Sequence, residues 1–183
     1  MKKMTTKDVL AESFLELAEK IPINKITIAD IVNNCGMTQP TFYRYFKDKY
    51  DMIAWIYVRE AGKNIGKIGR DGYLWKDTLL DGMRFYAENR KFMVNALMHT
   101  SGRDSFLFQM ADMNIGFIEN EIRKKLGVSK CPQDLAAIVK MFCYGTNQFL
   151  YNWLTDKSDL SYEQVAELME RSVPEVLKPF LCE

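Results

Sequence analysis

The residues able to do chemistry are few, and their spacing limits what that chemistry is. His99 is the one histidine, and the four cysteines, Cys35, Cys131, Cys143 and Cys182, lie too far apart for a Cys-x-x-Cys pair or a metal-ligand cluster. No Gly-x-Ser-x-Gly elbow and no glycine-rich phosphate loop occurs, so neither a nucleophile nor a nucleotide cradle is at hand. These absences argue against an enzyme, a metal site or a cofactor. The dense polar run is Thr38, Gln39, Thr41, Tyr43, Arg44 and Tyr45, interleaved with Phe42 and Phe46. On a helix this pattern turns the two phenylalanines toward a small core and leaves an outer face of hydrogen-bonding groups suited to base edges and phosphates. Lys47 and Lys49 follow at the start of another helix, where free N–H groups and the positive dipole end favour an anion.

The elements that hold this run are marked by caps. Thr5 with Asp8 opens a helix over about residues 5–20, carrying Val9, Leu10, Phe14, Leu17 and Ala18 at helical spacing. Thr27 with Asp30 opens a short second helix ending near Asn34, braced by a staple from Ile26 to Ile31. Gly36 supplies the turn after it, and Thr38 caps the third helix. Asp48 and Asp51 begin a longer helix that continues to Gly62 or Gly69, and the four glycines between Gly62 and Gly72 mark the weakest stretch of the pattern. Helical segments then fall at about 74–88, 91–100, 105–126, 132–155 and 161–177, the last weakened by Pro174. No strand alternation, internal repeat or low-complexity tract interrupts them. The fold class is all-α: a three-helix head over residues 1–50 and a helical bundle over residues 51–183.

With 25 Lys and Arg against 24 Asp and Glu, bulk charge does not point to nucleic acid, so any affinity for it must come from a local surface. Glu12, Glu16 and Glu19 break what would otherwise be a signal-peptide core, and no uncharged apolar stretch approaches the ~18 residues of a membrane span. These features predict a cytoplasmic protein with no membrane partner.

Capped helices flanking a glycine turn are the helix-turn-helix arrangement, whose last helix enters the major groove. From Ile28-Ala29-Asp30-Ile31-Val32 to Cys35-Gly36-Met37-Thr38-Gln39-Pro40-Thr41-Phe42-Tyr43-Arg44-Tyr45-Phe46-Lys47-Asp48-Lys49, the chain resembles the DNA-binding domain of the TetR family of bacterial regulators. The resemblance covers about residues 5–55. It implies a homodimer on a palindromic operator, with a second helical domain that senses an effector. It further implies that Thr27 and Lys49 contact phosphates, that Tyr43 meets a phosphate or a thymine methyl, and that Gln39 and Arg44 touch base edges. Pro40 stands where many members carry glycine, which removes a backbone N–H near the groove.

The second domain offers weaker signals. Phe142, Phe149 and Trp153, with Val165, Leu168 and Met169, form apolar stripes fitted to core or to a dimer interface. His99 and Arg103, together with Tyr144, Asn147 and Gln148, are the polar candidates for contact with a small-molecule effector. Three functional readings follow. The first is a repressor released by an effector. In the second, the second domain docks a coactivator protein: Trp55-Ile56-Tyr57 and Tyr73-Leu74-Trp75 resemble the TetR subgroup that contains the dihydroxyacetone kinase operon activator. The third is a three-helix protein-interaction module that never meets DNA.

Overall fold

The computed structural model describes residues 4–65, 67–68, 71–102, 105–156 and 158–182. In chain order the helices are α1 (Thr6–Ala18), α2 (Ile28–Asn34), α3 (Gln39–Tyr45), α4 (Lys49–Ile65), α5 (Trp75–Glu88), α6 (Arg90–Met98), α7 (Phe106–Leu126), α8 (Gln133–Thr155), α9 (Tyr162–Arg171) and α10 (Lys178–Leu181). Helix is the only regular structure among the described residues, as the sequence pattern predicts.

The caps act where the sequence puts them. The Thr5 hydroxyl accepts from Asp8 N–H at 3.2 Å and the Asp8 carboxylate accepts from Thr5 N–H at 2.9 Å. Thr27 with Asp30 repeats the exchange at 3.1 and 2.8 Å, and Ser161 with Gln164 at 3.3 and 2.9 Å. Each box satisfies two backbone donors that a helix start otherwise leaves unpaired. The last expected helix ends early, at Arg171. Pro174 would clash with the carbonyl four residues back, so it instead starts a 3₁₀ turn over Glu175–Leu177 that leads into α10. The glycine-rich stretch yields a helix end at Ile65; Gly66 and Gly69 lie outside the described residues.

In the head, Leu10, Phe14, Ile31, Phe42 and Phe46 pack into one buried centre. A polar clamp adds to it: the buried Ser13 hydroxyl donates to Ile31 O at 2.7 Å, and Asn34 Nδ2 donates to Ser13 Oγ at 3.1 Å and to Glu16 Oε2 at 3.0 Å. Behind the head, α5 packs along α9 and α7 along α8, with α4 against α5 and α7. The apolar core is continuous through both parts. The border expected at residue 50 falls inside the first turn of α4, which leaves the head and runs on into the body as a single helix.

Candidate nucleic-acid interface

The turn between α2 and α3 is closed by the backbone. Gly36 adopts φ +67°, its N–H donates to Asn33 O at 3.3 Å, and Met37 N–H donates to Val32 O at 2.8 Å. This left-handed stop satisfies the last carbonyls of α2 and aims α3 across it. Thr38 then caps α3 by accepting from Thr41 N–H at 3.4 Å, and its hydroxyl lies 3.0 Å from that of Thr41. Pro40 falls in the first turn of α3, where a missing N–H costs the helix nothing.

Across α3 the inward and outward sides separate as the spacing requires. Phe42 and Phe46 are buried, with ring centroids 5.7 Å apart, and Phe46 meets Trp55 of α4 edge-on at 5.6 Å. Thr27, Thr38, Gln39, Pro40 and Arg44 are exposed, and Tyr43 keeps 56% of its surface open. Thr41 is half-buried, and Tyr45 is half-buried with its ring packed on the core, so it offers less to a groove than the sequence pattern promised. The open face is thus Gln39, Tyr43 and Arg44, flanked by Thr27 and Thr38.

Lys49 is placed differently from the expected phosphate contact. Its ammonium donates to three main-chain carbonyls of the turn before α2: Ile23 O at 2.7 Å, Asn24 O at 3.2 Å and Ile26 O at 2.7 Å. Its three donors are all used inside the protein, and burial draws its pKa below the ordinary lysine value. In this geometry it serves the interface through the turn it holds.

The second-domain candidates do not converge. His99 caps the end of α6 in an open cleft beside Asn24 and Tyr50, and Arg103 lies outside the described residues. Tyr144 and Gln148 face outward on α8, where Gln148 Nε2 donates to Asn152 Oδ1 at 3.1 Å. Asn147 is only 1% exposed, with neither amide atom hydrogen-bonded among the described residues, and it lies off the cavity wall. Two residues expected at a dimer seam are instead core. Trp153 donates from Nε1 to Leu160 O at 3.0 Å, and Val165 is sealed inside, on the helix that packs along α5. Phe149 and Leu168 do face outward, at 39% and 41% exposure, along a shallow groove with Gly145, Thr146, Met169 and Ser172.

The groups that do converge were not placed together by the sequence, where Phe142 and Met169 were expected at a dimer interface. A cavity of about 90 Å³ lies among α4, α5, α7, α8 and α9, walled by Leu79, Met83, Ile118, Phe142 and Leu150, with Met169 closing one side. Its polar groups are Tyr57, Tyr86, Asn114, Thr78, Thr146 and Asn64, and among the described residues no acidic, basic or histidine side chain lines it. The Tyr57 and Tyr86 hydroxyls are 2.7 Å apart, and the Asn114 side chain also hydrogen-bonds Tyr57. Burial raises the pKa of both tyrosines. Trp75 stacks on Phe117 at 6.3 Å, and its buried Nε1 has no acceptor among the described residues. Cys143, also in the wall, is pushed up to about 12 by burial, so it stands as a thiol and not as a reactive thiolate. The polar wall residues are spread over α4, α5, α7 and α8, which is why the sequence did not show them as a set.

A capped three-helix head with an open polar face on its third helix, carried on an all-helical body, defines a helix-turn-helix transcriptional regulator. Residues 15–55 match the profile of the bacterial regulatory proteins of the tetR family, and residues 74–175 match that of a transcriptional regulator C-terminal region. The second match alone spans more than half the chain, and the chain belongs to the TetR family of DNA-binding regulators. It is therefore a regulator and not an enzyme. Among curated relatives it is similar to the HTH-type dhaKLM operon transcriptional activator DhaS of Lactococcus lactis subsp. lactis (strain IL1403), 28% identical over 91 residues. That alignment covers 50% of this chain and 48% of the relative, so the chain spans about half the length of the curated relative it matches. Among solved structures, a dihydroxyacetone kinase operon activator DhaS superposes with TM-score 0.67 at 18% identity, covering 98% of this chain and 99% of that one, a likeness of fold. No described helix is long and apolar enough to cross a membrane.

Proposed function

We propose that the chain works as a homodimer that reads a palindromic operator with α3 and answers an effector held in the second domain, as a repressor released by that effector. The observation that carries this reading is the split of α3 into a buried Phe42/Phe46 side and an open Gln39/Tyr43/Arg44 side. Gln39 and Arg44 supply base-edge contacts, while Thr27, Thr38, Pro40, Thr41, Tyr43 and Tyr45 shape the fit to backbone and groove. The second copy covers the outward apolar strip of α8 and α9, with Phe149, Leu168 and Met169 at its centre and Phe142 beneath.

The uncharged cavity supports a small-molecule effector. The described wall residues carry no charge to pair with an ion, which unpaired would cost several kcal/mol, and this favours a neutral ligand. A cavity of about 150 Å³ holds benzene, so the 90 Å³ here suits a molecule of fewer atoms. Its polar atom would accept from Trp75 Nε1 or from the Tyr57/Tyr86 pair. Binding regulates only if it favours a spacing of the two heads that does not fit the operator.

A second reading has its own observation. Phe108 and Tyr144 are exposed and meet edge-on at 6.3 Å, beside the open Met141, forming an apolar spot that a coactivator protein could cover. The relative DhaS is by name an activator, and in this reading the docked protein, not a small molecule, sets the head spacing.

The test is selection of bound sequences from random DNA, followed by titration with wild type, Arg44→Ala and Gln39→Ala. A palindromic winner whose preference relaxes at one position in each half-site supports the operator reading; no enrichment by a folded dimer rejects it. Propionamide and its isostere propionate then divide the ligand readings. A rise in melting temperature and a shift of the Trp75 indole resonance with the amide alone supports the neutral cavity, and equal effects of both overturn it.

A further inference from the structure

We propose that Asn95 is a positioning residue for DNA reading: from α6 it latches the turn that holds the head, and so fixes the separation of the two recognition helices. This rests on the dimer and palindromic operator proposed above.

Asn95 Nδ2 donates to Ala18 O at 2.7 Å and to Ile21 O at 2.9 Å, and Asn95 Oδ1 accepts from Ile23 N–H at 2.8 Å. Two carbonyls and one N–H allow only one orientation of the amide, because a flipped side chain would set oxygen against oxygen and N–H against N–H. The carbonyl of Ala18 also needs an outside donor. Four residues on, where a helix would supply one, stands Pro22, which has no N–H. The body of the protein thus completes the end of α1.

The same turn is gripped from its other side. Ile23 gives its N–H to Asn95 and its carbonyl to Lys49 Nζ, and Lys49 opens α4 directly after the recognition helix. One short turn therefore joins the end of α1, the start of α4 and the middle of α6. Phe14 of α1 against Phe92 of α6, edge-on at 6.3 Å, packs beside it. The head is held by two struts: α4, which is continuous with the body, and α6, which reaches it through this amide. A head on α4 alone could swing with that single helix; the second attachment removes the swing. Movement of α6, which packs on α7 and α8 beside the cavity, is then passed to the head through Asn95.

Loosening a latch and merely weakening a fold predict different behaviour on DNA. The selected operator is compared with versions carrying one and two extra central base pairs, each of which turns one half-site by about 35° and moves it about 3.4 Å relative to the other. Full-length dimers of wild type, Asn95→Ala, Asn95→Leu and Asn95→Asp are titrated on all three, and Val139→Ala, a core change in α8, is the control for lost stability. The expected result is that wild type and Val139→Ala prefer the selected spacing by about tenfold or more, a hundredth or less of a specific protein's usual discrimination against non-specific DNA, and that the Asn95 variants reduce this ratio to about two- to threefold. Asn95→Asp keeps the acceptor for Ile23 N–H but sets an oxygen against the Ala18 and Ile21 carbonyls, whereas Asn95→Leu keeps the volume without that repulsion and is the variant read if the alanine variant does not stay folded. Unchanged spacing discrimination in folded Asn95 dimers overturns the latch while leaving operator binding intact; absence of any operator instead overturns the reading beneath it.

Discussion

Arg44 and Lys49 carry the same charge a few residues apart, and their surroundings give them opposite duties. The Arg44 side chain stands open at the end of α3, while the Lys49 ammonium is spent on the carbonyls of Ile23, Asn24 and Ile26. Arg44→Ala is therefore expected to melt like wild type and to lose about 1–3 kcal/mol of base discrimination at one operator position. Lys49→Ala should leave three carbonyls without their charged donor and cost about 2 kcal/mol of stability, with a melting temperature lower by roughly 4–8 °C. Thermal melts and operator titrations of the two variants separate the roles; a stable Lys49→Ala protein with uniformly weakened DNA affinity would return Lys49 to the phosphates. The sequence showed both residues, and family resemblance gave both to DNA. What it did not show is the register of a turn more than twenty residues earlier, whose carbonyls meet Lys49 only once α1 and α4 have packed. Trp153 and Val165 differ from expectation for the same reason: an apolar stripe says that a face is buried, and only packing decides whether the cover is this chain or another.

At the scale of elements the sequence was most legible, because caps and stops act over three or four residues. Thr5, Thr27 and Thr38 each start the helix they were expected to start, and Gly36 stops α2. A Cβ at Gly36 would touch nothing within 4 Å, so Gly36→Ala should cost only the left-handed backbone strain, about 1–2 kcal/mol in chemical denaturation, and Gly36→Asn less. The capping carboxylates give a pH dependence with a definite sign. Hydrogen bonds from the Thr27 hydroxyl and backbone N–H hold the Asp30 pKa below its ordinary 3.8, and Thr5, then Arg59, do the same for Asp8. A carboxylate whose folded pKa is depressed contributes its full stabilisation above the unfolded value and loses it as pH falls through the folded one. Melting temperature should thus hold down to about pH 4 and fall below it, and the fall should be shallower in Asp30→Asn, which starts lower at neutral pH. An equally steep acid limb in that variant would assign the loss to other groups.

For the molecule as a whole, what the sequence could not display is the cavity, since Tyr57, Trp75, Asn114 and Thr146 come from four helices and meet only when the body closes. Its floor includes Gly82, in the interior of α5, where a Cβ would find nothing within 4 Å. A glycine inside a helix costs about 1 kcal/mol relative to alanine, and a methyl here meets no clash. Gly82→Ala should raise the melting temperature by roughly 2–4 °C, taking about 2–4 °C per kcal/mol for a chain of this size, with operator affinity unchanged. Gly82→Leu should go further and fill the space, leaving a dimer that binds its operator but no longer gains stability from propionamide. If the leucine variant answers the amide as wild type does, the effector site lies elsewhere, and the exposed Phe108 and Tyr144 spot becomes the place to seek a protein partner. If both variants lose operator binding while remaining folded, the cavity is needed for the movement that fits the two heads to DNA, and its occupant acts on that fit.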